Sequence, residues 1–454
     1  MRSVNVSMKA KRWFTMLTII SMLFLAVVGC SSGAAPASTG DSAEGQGDTA
    51  VPAVKEEDKT PVTIQYWHSH AEAQEEGLTY MIAEFHKKYP YITIEPVYQG
   101  GYGDLHKKLL AAVAANDVPA VTNVEVSSLP MFAHDGIFED LTSYIERDQV
   151  DMTSFSEGMA KAYAYEGRQF GFPLIVSMSV MIYNKTMIDK LGVTPPQSWD
   201  EVEAFNKQVT VKKDGKTERY ALSVPGWDNW YYDPWMINGG GSVLNADMTQ
   251  ASIDSPESLR YIQNFKRWVD EGAMHIGYGK GASGTMRQMF LESKIAMIEH
   301  TSAMIKTYVE NADFEVGVSF LPGDKTRISN IGGAGIVMMS GAKDDQKEAA
   351  WKFIQFMTSQ EHNIQWAEKV GYLPTHKSVV DTEEGKAYQE RWPQYKAVLE
   401  NFDNVQPRLQ HPLYPEFSNF YIEAVGKMVL EHGDPAQLMK EAAAEINKVL
   451  EDSN

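Results

Sequence analysis

Three observations predict an α/β fold for this chain. After residue 60, period-two runs rich in β-branched and aromatic residues alternate with stretches whose apolar residues recur every three or four positions. The first five such segments read strand, helix, strand, helix, strand, the order of a mostly parallel sheet covered by helices. The 454 residues, 43% hydrophobic and 22% charged, also provide two or three domains' worth of packed core.

In order, "VTIQYW" (62–67) alternates as a strand. Leu78, Met81, Ile82, Phe85 and Tyr89 then share one helical face, and Pro90 ends that helix. "YITIEPVY" is a second strand, Leu105, Leu109, Ala112 and Val113 mark a second helix, and "AVTNVEV" (120–126) is a third strand. Sheets of this kind bind ligands beyond the carboxyl ends of their strands. "PLIVSMSVMIYNK" (173–185) is long, apolar and β-rich. Ser198 with Glu201 forms a capping box that opens another helix. Tyr261, Phe265, Trp268 and Val269 outline a helix that stops at Gly272. "FEVGVSFLP" and "GGAGIVMM" read as strands, and "KEAAWKFIQFMTS" as an amphipathic helix. A last helix runs from Pro435 to Leu450, with proline in its first turn.

The amino terminus has a different character. Arg2, Lys9, Lys11 and Arg12 precede an uncharged run, residues 13–29, that is short for a membrane span and suited to a signal-peptide core. The run ends in Val27-Val28-Gly29-Cys30, which resembles the lipobox of bacterial lipoproteins. That resemblance implies removal of residues 1–29 and diacylglyceryl attachment to Cys30. Each buried CH₂ of such a chain contributes roughly 0.8 kcal/mol, so two chains anchor stably. Residues 30–60, rich in Ser, Gly, Ala, Pro and acids, read as a flexible tether. With Cys30 the only cysteine, there is no internal disulfide and no Cys-rich metal site. The formal charge of −19 argues against a nucleic-acid surface. No metal, cofactor or oligomerisation signal is evident, so a monomer is expected.

The segments "TIQYWHS", "EFHKKYPYITIEPVYQGGYGDLHKKLLAAVAANDVPAV", "MIYNK", "SWDEVEAF", "AMIEHTSAM", "GGAGIVMM" and "WKFIQFMTSQEHNIQWAEKVGYLPT" occur in that order. Together they resemble the extracellular solute-binding proteins of ABC uptake systems, the family that includes maltose- and glycerol-3-phosphate-binding proteins. The likeness spans residues 61–450, and "YWHS", "GGY" and "VEVSSLPMFAHDGI" are most similar to the glycerol-3-phosphate-binding branch. It implies a two-lobed periplasmic-binding-protein-like fold whose discontinuous lobes, joined by a hinge, close on ligand. The first lobe would take residues 61–175 and 313–362, the second 176–312 and 363–454. It also implies an extracytoplasmic, membrane-tethered location and ABC permease subunits as partners.

The residues themselves nominate a site. Tyr102 follows a Gly-Gly pair just before a helix, and Glu125 ends the third strand. Ser177 interrupts an apolar run, and Trp227 and Trp230 stand in the aromatic loop "PGWDNWYYDPW". Thr301 follows "IAMIEH", Gly333 sits in a Gly-Gly pair, and Tyr372 lies in "GYLPT". Each also has a bland reading: packing for the tryptophans, capping for Glu125, backbone satisfaction for Ser177, a turn for Gly333. Trp67 and His68 are near the cleft by topology or start a helix. Laid on the glycerol-3-phosphate branch, the eight named positions coincide with ligand-contacting ones, although which tryptophan faces the cleft stays open. A carboxylate and hydroxyls suit a polyol, an indole covers its C–H face, and backbone N–H groups serve phosphate oxygens.

One departure stands out. The branch carries arginine in a late "P-x-x-R" run, whereas here Pro415 is followed by Ser418, and Arg408 is the nearby substitute. The missing fork counts against a tightly gripped phosphate, and a phosphodiester or a neutral sugar needs it less. The resemblance still implies a glycerol phosphate or glycerophosphodiester ligand, with a neutral mono- or oligosaccharide as the alternative. A lipid-anchored glycoside hydrolase is the competing class, and a sensory ectodomain a third. The chain has no G-x-S-x-G, H-E-x-x-H or P-loop, and Gly279, Gly281 and Gly284 spell G-x-G-x-x-G after a loop rather than a strand. No catalysis is expected.

Overall fold

Strand Val62–His68 pairs in parallel with Ile92–Tyr98 on one side and Val121–Glu125 on the other. Helices Ala73–Lys88 and Tyr102–Ala115 make the crossovers. The first buries Leu78, Met81, Ile82 and Phe85 and carries Glu75 and Glu76 at its positive end. The structure is a computed structural model that describes residues 59–71 and 73–452. The expected leader, Cys30 and all but the last two residues of the expected tether lie outside them.

The sheet continues differently from a parallel α/β array. Its order places Ser329–Met338 beside Val121–Glu125, then the fourteen-residue strand Gly171–Asn184, then Ile295–Thr301 and Lys216–Pro225. Ser329–Met338 runs antiparallel to both its neighbours. The long strand changes partners along its length. Residues 171–178 pair with Ser329–Met338, while Ser179 onward pairs with Ile295–Thr301 and Val316–Ser319. The sheet is therefore mixed: chain segments that cross its middle in opposite directions must lie antiparallel there.

Separate apolar cores flank that crossing. One gathers Ile64, Phe85, Trp351, Phe353 and Trp366 over the first strands. Another gathers Trp235, Phe265, Trp268, Tyr421 and Ile446 around Lys216–Pro225. A third runs along the middle through Val176, Val180 and Ile331. The capping box forms at Trp199–Val209, where Ser198 Oγ accepts from the Glu201 N–H at 3.3 Å. Its reciprocal bond goes one residue further out, from the Gln197 N–H to Glu201 at 2.7 Å. The helix predicted to stop at Gly272 spans Pro256–Asp270, and the last helix spans Pro435–Asp452. Among the described residues no helix is long and apolar enough to cross a membrane.

Candidate ligand-binding site

The crossing of the sheet collects the residues nominated from sequence. Across Ser329–Met338, Ala334 stands opposite Glu125, Gly333 opposite Val176 and Gly332 opposite Ser177. Ser179, two residues on, stands opposite Thr301. The Leu373 N–H donates to the Val176 carbonyl at 2.9 Å, which brings neighbouring Tyr372 to the same place. Glu125, Ser177, Thr301, Gly333 and Tyr372 thus lie within a few residues of one stretch of the long strand. Two of these positions come from the amino-terminal third and the last quarter of the chain.

Gly333 is required by the backbone. Its φ is +96°, and a Cβ there would lie 1.8 Å from the Ile175 carbonyl oxygen. The residue is half-buried, so some of its backbone is accessible at this point.

Tyr102 opens its helix and is half-buried. Burial, then the neighbouring Tyr372 and Glu125, push its hydroxyl well above the ordinary tyrosine range, so it keeps its proton and can donate. Gln74 donates to the Tyr372 hydroxyl at 3.4 Å. Behind them Tyr66 and His70 share a buried 2.7 Å hydrogen bond, and His68 stacks on His70 with ring centroids 5.3 Å apart. Burial holds His68 down to about 4 and His70 to about 3, so both are neutral at pH 7.

Glu125 takes the capping position expected of it and also faces a cation. Its carboxylate accepts from the Ser127 N–H at 3.0 Å and from the Ser127 hydroxyl, capping the turn Val126–Ser128. It also meets Arg408 at 3.5 Å. Burial raises its pKa, against the opposing pull of Arg408 and Ser127.

Arg408 is the residue that sequence reasoning placed only as a substitute. It is 7% exposed and lies between Glu125 and Asp228, the latter 3.4 Å away. Its Nη2 also donates to Asn229 at 3.1 Å and to the Tyr414 hydroxyl at 3.2 Å, while its Nε has no partner in the structure. Beneath it Asp233 accepts from the hydroxyls of Tyr414 at 2.8 Å and Tyr421 at 2.9 Å. Burial lifts Asp233 to about 6, with Arg408 opposing. One cation therefore serves three carboxylates. Asp228 was missed because it sits inside an aromatic loop whose tryptophans drew the reading; an acid in such a loop is the signal that was there.

The two tryptophans divide their tasks. Trp230 is nearly buried, and its indole N–H donates to the Asn330 and Ile331 carbonyls at 3.2 and 3.1 Å. Its ring fills the space a side chain at Gly332 would need. Trp227 is half-buried, against Tyr231 at 5.8 Å and His300 at 6.3 Å between ring centroids. Trp227 thus keeps an accessible ring, whereas Trp230 is a wall. Thr301 caps the turn after its strand, accepting from the Ala303 N–H at 3.3 Å. Ser418 is buried, and its place in the helix Tyr414–Glu431 supplies no cation. Among the described residues no group of three or more His, Cys, Asp or Glu side chains is arranged to hold a metal ion.

An α/β architecture with separate cores on either side of a strand crossing, and polar and aromatic residues gathered at that crossing, fits a two-lobed binding protein. The chain belongs to the bacterial extracellular solute-binding protein family, which it matches over residues 80–394. It is 26% identical over 350 residues to the sn-glycerol-3-phosphate-binding periplasmic protein UgpB of Shigella flexneri, covering 73% of this chain and 78% of that one. It is similar in structure to an ABC substrate-binding protein of Listeria monocytogenes in complex with cycloalternan, with a TM-score of 0.72 and 26% identity over 87% of this chain and 99% of that one. UgpB of Mycobacterium tuberculosis in complex with glycerophosphocholine shares the fold, with a TM-score of 0.75 and 21% identity over 86% of this chain and 99% of that one. The solute-binding role and the extracytoplasmic location expected from sequence follow from this membership.

Proposed function

We propose that this protein captures a glycerophosphodiester, or a related glycerol phosphate, and delivers it to an ABC permease without altering it. The observation that carries the reading is the convergence of Tyr102, Glu125, Ser177, Thr301, Gly333 and Tyr372 on one crossing of the sheet. Tyrosine hydroxyls and Glu125 suit the glycerol hydroxyls, the backbone at Gly333 suits a phosphate oxygen, and the ring of Trp227 suits the C–H face. The sn-glycerol-3-phosphate-binding relatives support this choice. A diester carries one negative charge where a monoester carries nearly two, and Arg408 is already faced by two acids. The diester therefore asks less of a cationic grip.

A second reading is a neutral saccharide, favoured by that same engagement of Arg408 and by the cycloalternan complex of the Listeria relative. Calorimetric titration with glycerol-3-phosphate, glycerophosphodiesters and a sugar panel separates the two. In the first case Tyr102→Ala and Glu125→Ala each weaken binding tenfold or more, about 1.4 kcal/mol. Wild-type affinity in both variants counts against the site.

The two lobes are those expected from sequence, 61–175 with 313–362 and 176–312 with 363–454; the change of strand partners between Met178 and Ser179, close to the first boundary, supports that division. Bending there closes the crevice, and the permease reads the closed form. The protein acts as a monomer held to the outer face of the membrane by lipid on Cys30. Metabolic labelling with palmitate is expected to mark the full chain and to vanish in Cys30→Ser; label that persists would refute the anchor.

A further inference from the structure

Behind Tyr372 a polar chain runs through the start of helix Ala73–Lys88. Tyr66 and His70 are wholly buried, and the Tyr66 hydroxyl meets the His70 Nε2 at 2.7 Å. The His70 ring is held by His68, stacked at 5.3 Å, and by the edge of Trp366, 5.7 Å away between centroids. Trp366 is itself fixed, since its indole N–H donates to the Leu174 carbonyl at 2.8 Å. It lies on the helix Gln360–Val370, which ends in left-handed Gly371 and delivers Tyr372. Gly77 lets this helix and Ala73–Lys88 approach closely: a Cβ there would lie 2.9 Å from Val370 and 3.3 Å from Trp366. One turn before Gly77, Gln74 reaches across, and its Nε2 donates to the Tyr372 hydroxyl at 3.4 Å.

Each link has a preferred direction. Among the described residues the Tyr66 hydroxyl has no hydrogen-bond partner but His70. Burial raises its pKa well above the ordinary range, so it keeps its proton. Accepting from the ring would leave that buried proton unpaired, whereas donating to it leaves over only a lone pair. Donation to Nε2 puts the proton of the neutral ring on Nδ1. Nδ1 has no partner at hydrogen-bond distance in this structure, and Gln74 is the side chain whose hydrogen bonding favours a proton on the ring. Burial lowers His70 and raises Tyr372, and Gln74 opposes both shifts. It thus behaves as an acceptor toward the ring and as a donor toward the hydroxyl, as an amide does through Oε1 and Nε2. The Tyr372 oxygen is then already an acceptor, and its own proton is left to donate.

We propose that His70 and Gln74 are positioning residues: with Tyr66 they form a one-way hydrogen-bond chain that fixes Tyr372 as a donor toward the captured solute. The solute must then present an acceptor oxygen, such as a phosphate oxygen, to that hydroxyl. The assignment rests on Tyr372 touching solute, as in the proposed function, and adds what orients it.

Nitrogen NMR of the histidine-labelled full chain at pH 7, with His70 assigned from its absence in His70→Gln, tests the direction without any solute. The expected result is a neutral ring protonated at Nδ1. A proton on Nε2 instead, or on both nitrogens, overturns the chain. Calorimetry on the full chain with glycerophosphoglycerol, glycerol-3-phosphate and maltose as probes reads the effect on binding. Gln74→Met is expected to weaken binding about fivefold by itself and at most about twofold in a Tyr372→Phe background, where the donor it orients is already gone. Circular dichroism confirms that the variants are folded. An equal loss in both backgrounds means that Gln74 only supports its helix, and it overturns the assignment while leaving the glycerol phosphate reading standing. Maltose binding with no response to either phosphate overturns that reading, and the same pair of backgrounds read with maltose then decides the positioning role separately.

Discussion

Arg408→Met is expected to destabilise the fold by about 3–5 kcal/mol at pH 8, because it strands carboxylates in a buried site. Arg408 is the cation beside Glu125, Asp228 and the buried Asp233. Methionine keeps much of the volume, so the loss reports charge rather than a cavity. Attraction between such pairs is about 4 kcal/mol at 4 Å in a protein-like dielectric, and desolvating each ion costs several kcal/mol. The intact pairs therefore add little net stability, while a broken set is costly.

The sign of the pH dependence follows from the acids left behind. Burial already raises Asp233 to about 6 and raises Glu125, and Arg408 opposes both shifts. Without Arg408 both rise further. A carboxyl whose folded pKa lies above its unfolded value favours the fold at low pH and loses that advantage as pH rises through the folded value. The deficit of Arg408→Met should thus be small near pH 4 and grow through pH 6 to pH 8. Urea unfolding at pH 5 and pH 8 measures it. An equal deficit at both pH values would mean that Arg408 acts through packing alone.

Gly333→Ala is the second large effect. A left-handed conformation for a residue with a side chain costs about 1–3 kcal/mol. Here the added Cβ also meets the Ile175 carbonyl, which is backbone in a paired strand and cannot swing away. We expect a total loss of roughly 2–4 kcal/mol, with solute affinity reduced at least tenfold because the crossing itself must shift. Thermal unfolding and calorimetry on the same preparation check both. Unchanged melting with intact binding would show that the strands at Gly333 are free to move apart.

Much of the fold was legible before any coordinates. Strand 62–67 and the helix through Leu78 and Phe85 announce themselves because alternation and helical spacing are local properties of the chain. The positions that meet at the strand crossing were nominated through their place in recurring motifs more than through their own chemistry. Nothing near Gly333 indicates that it stands opposite Val176, because register is settled by all the strands at once. Likewise the roles of Trp227 and Trp230, three residues apart, separate only when Gly332 leaves a space that one indole fills.

By itself, then, the order of residues determined which segments are strands and helices, that they alternate as α/β, and which short motifs belong to a solute-binding family. Those are decided by side-chain periodicity and by turn-forming residues acting over a few positions. Only the tertiary structure decided that the long strand serves two halves in turn, and that Arg408 meets Glu125 and Asp228 from 283 and 180 positions away along the chain. Contacts between such distant segments depend on how whole layers pack, and no local pattern encodes that packing.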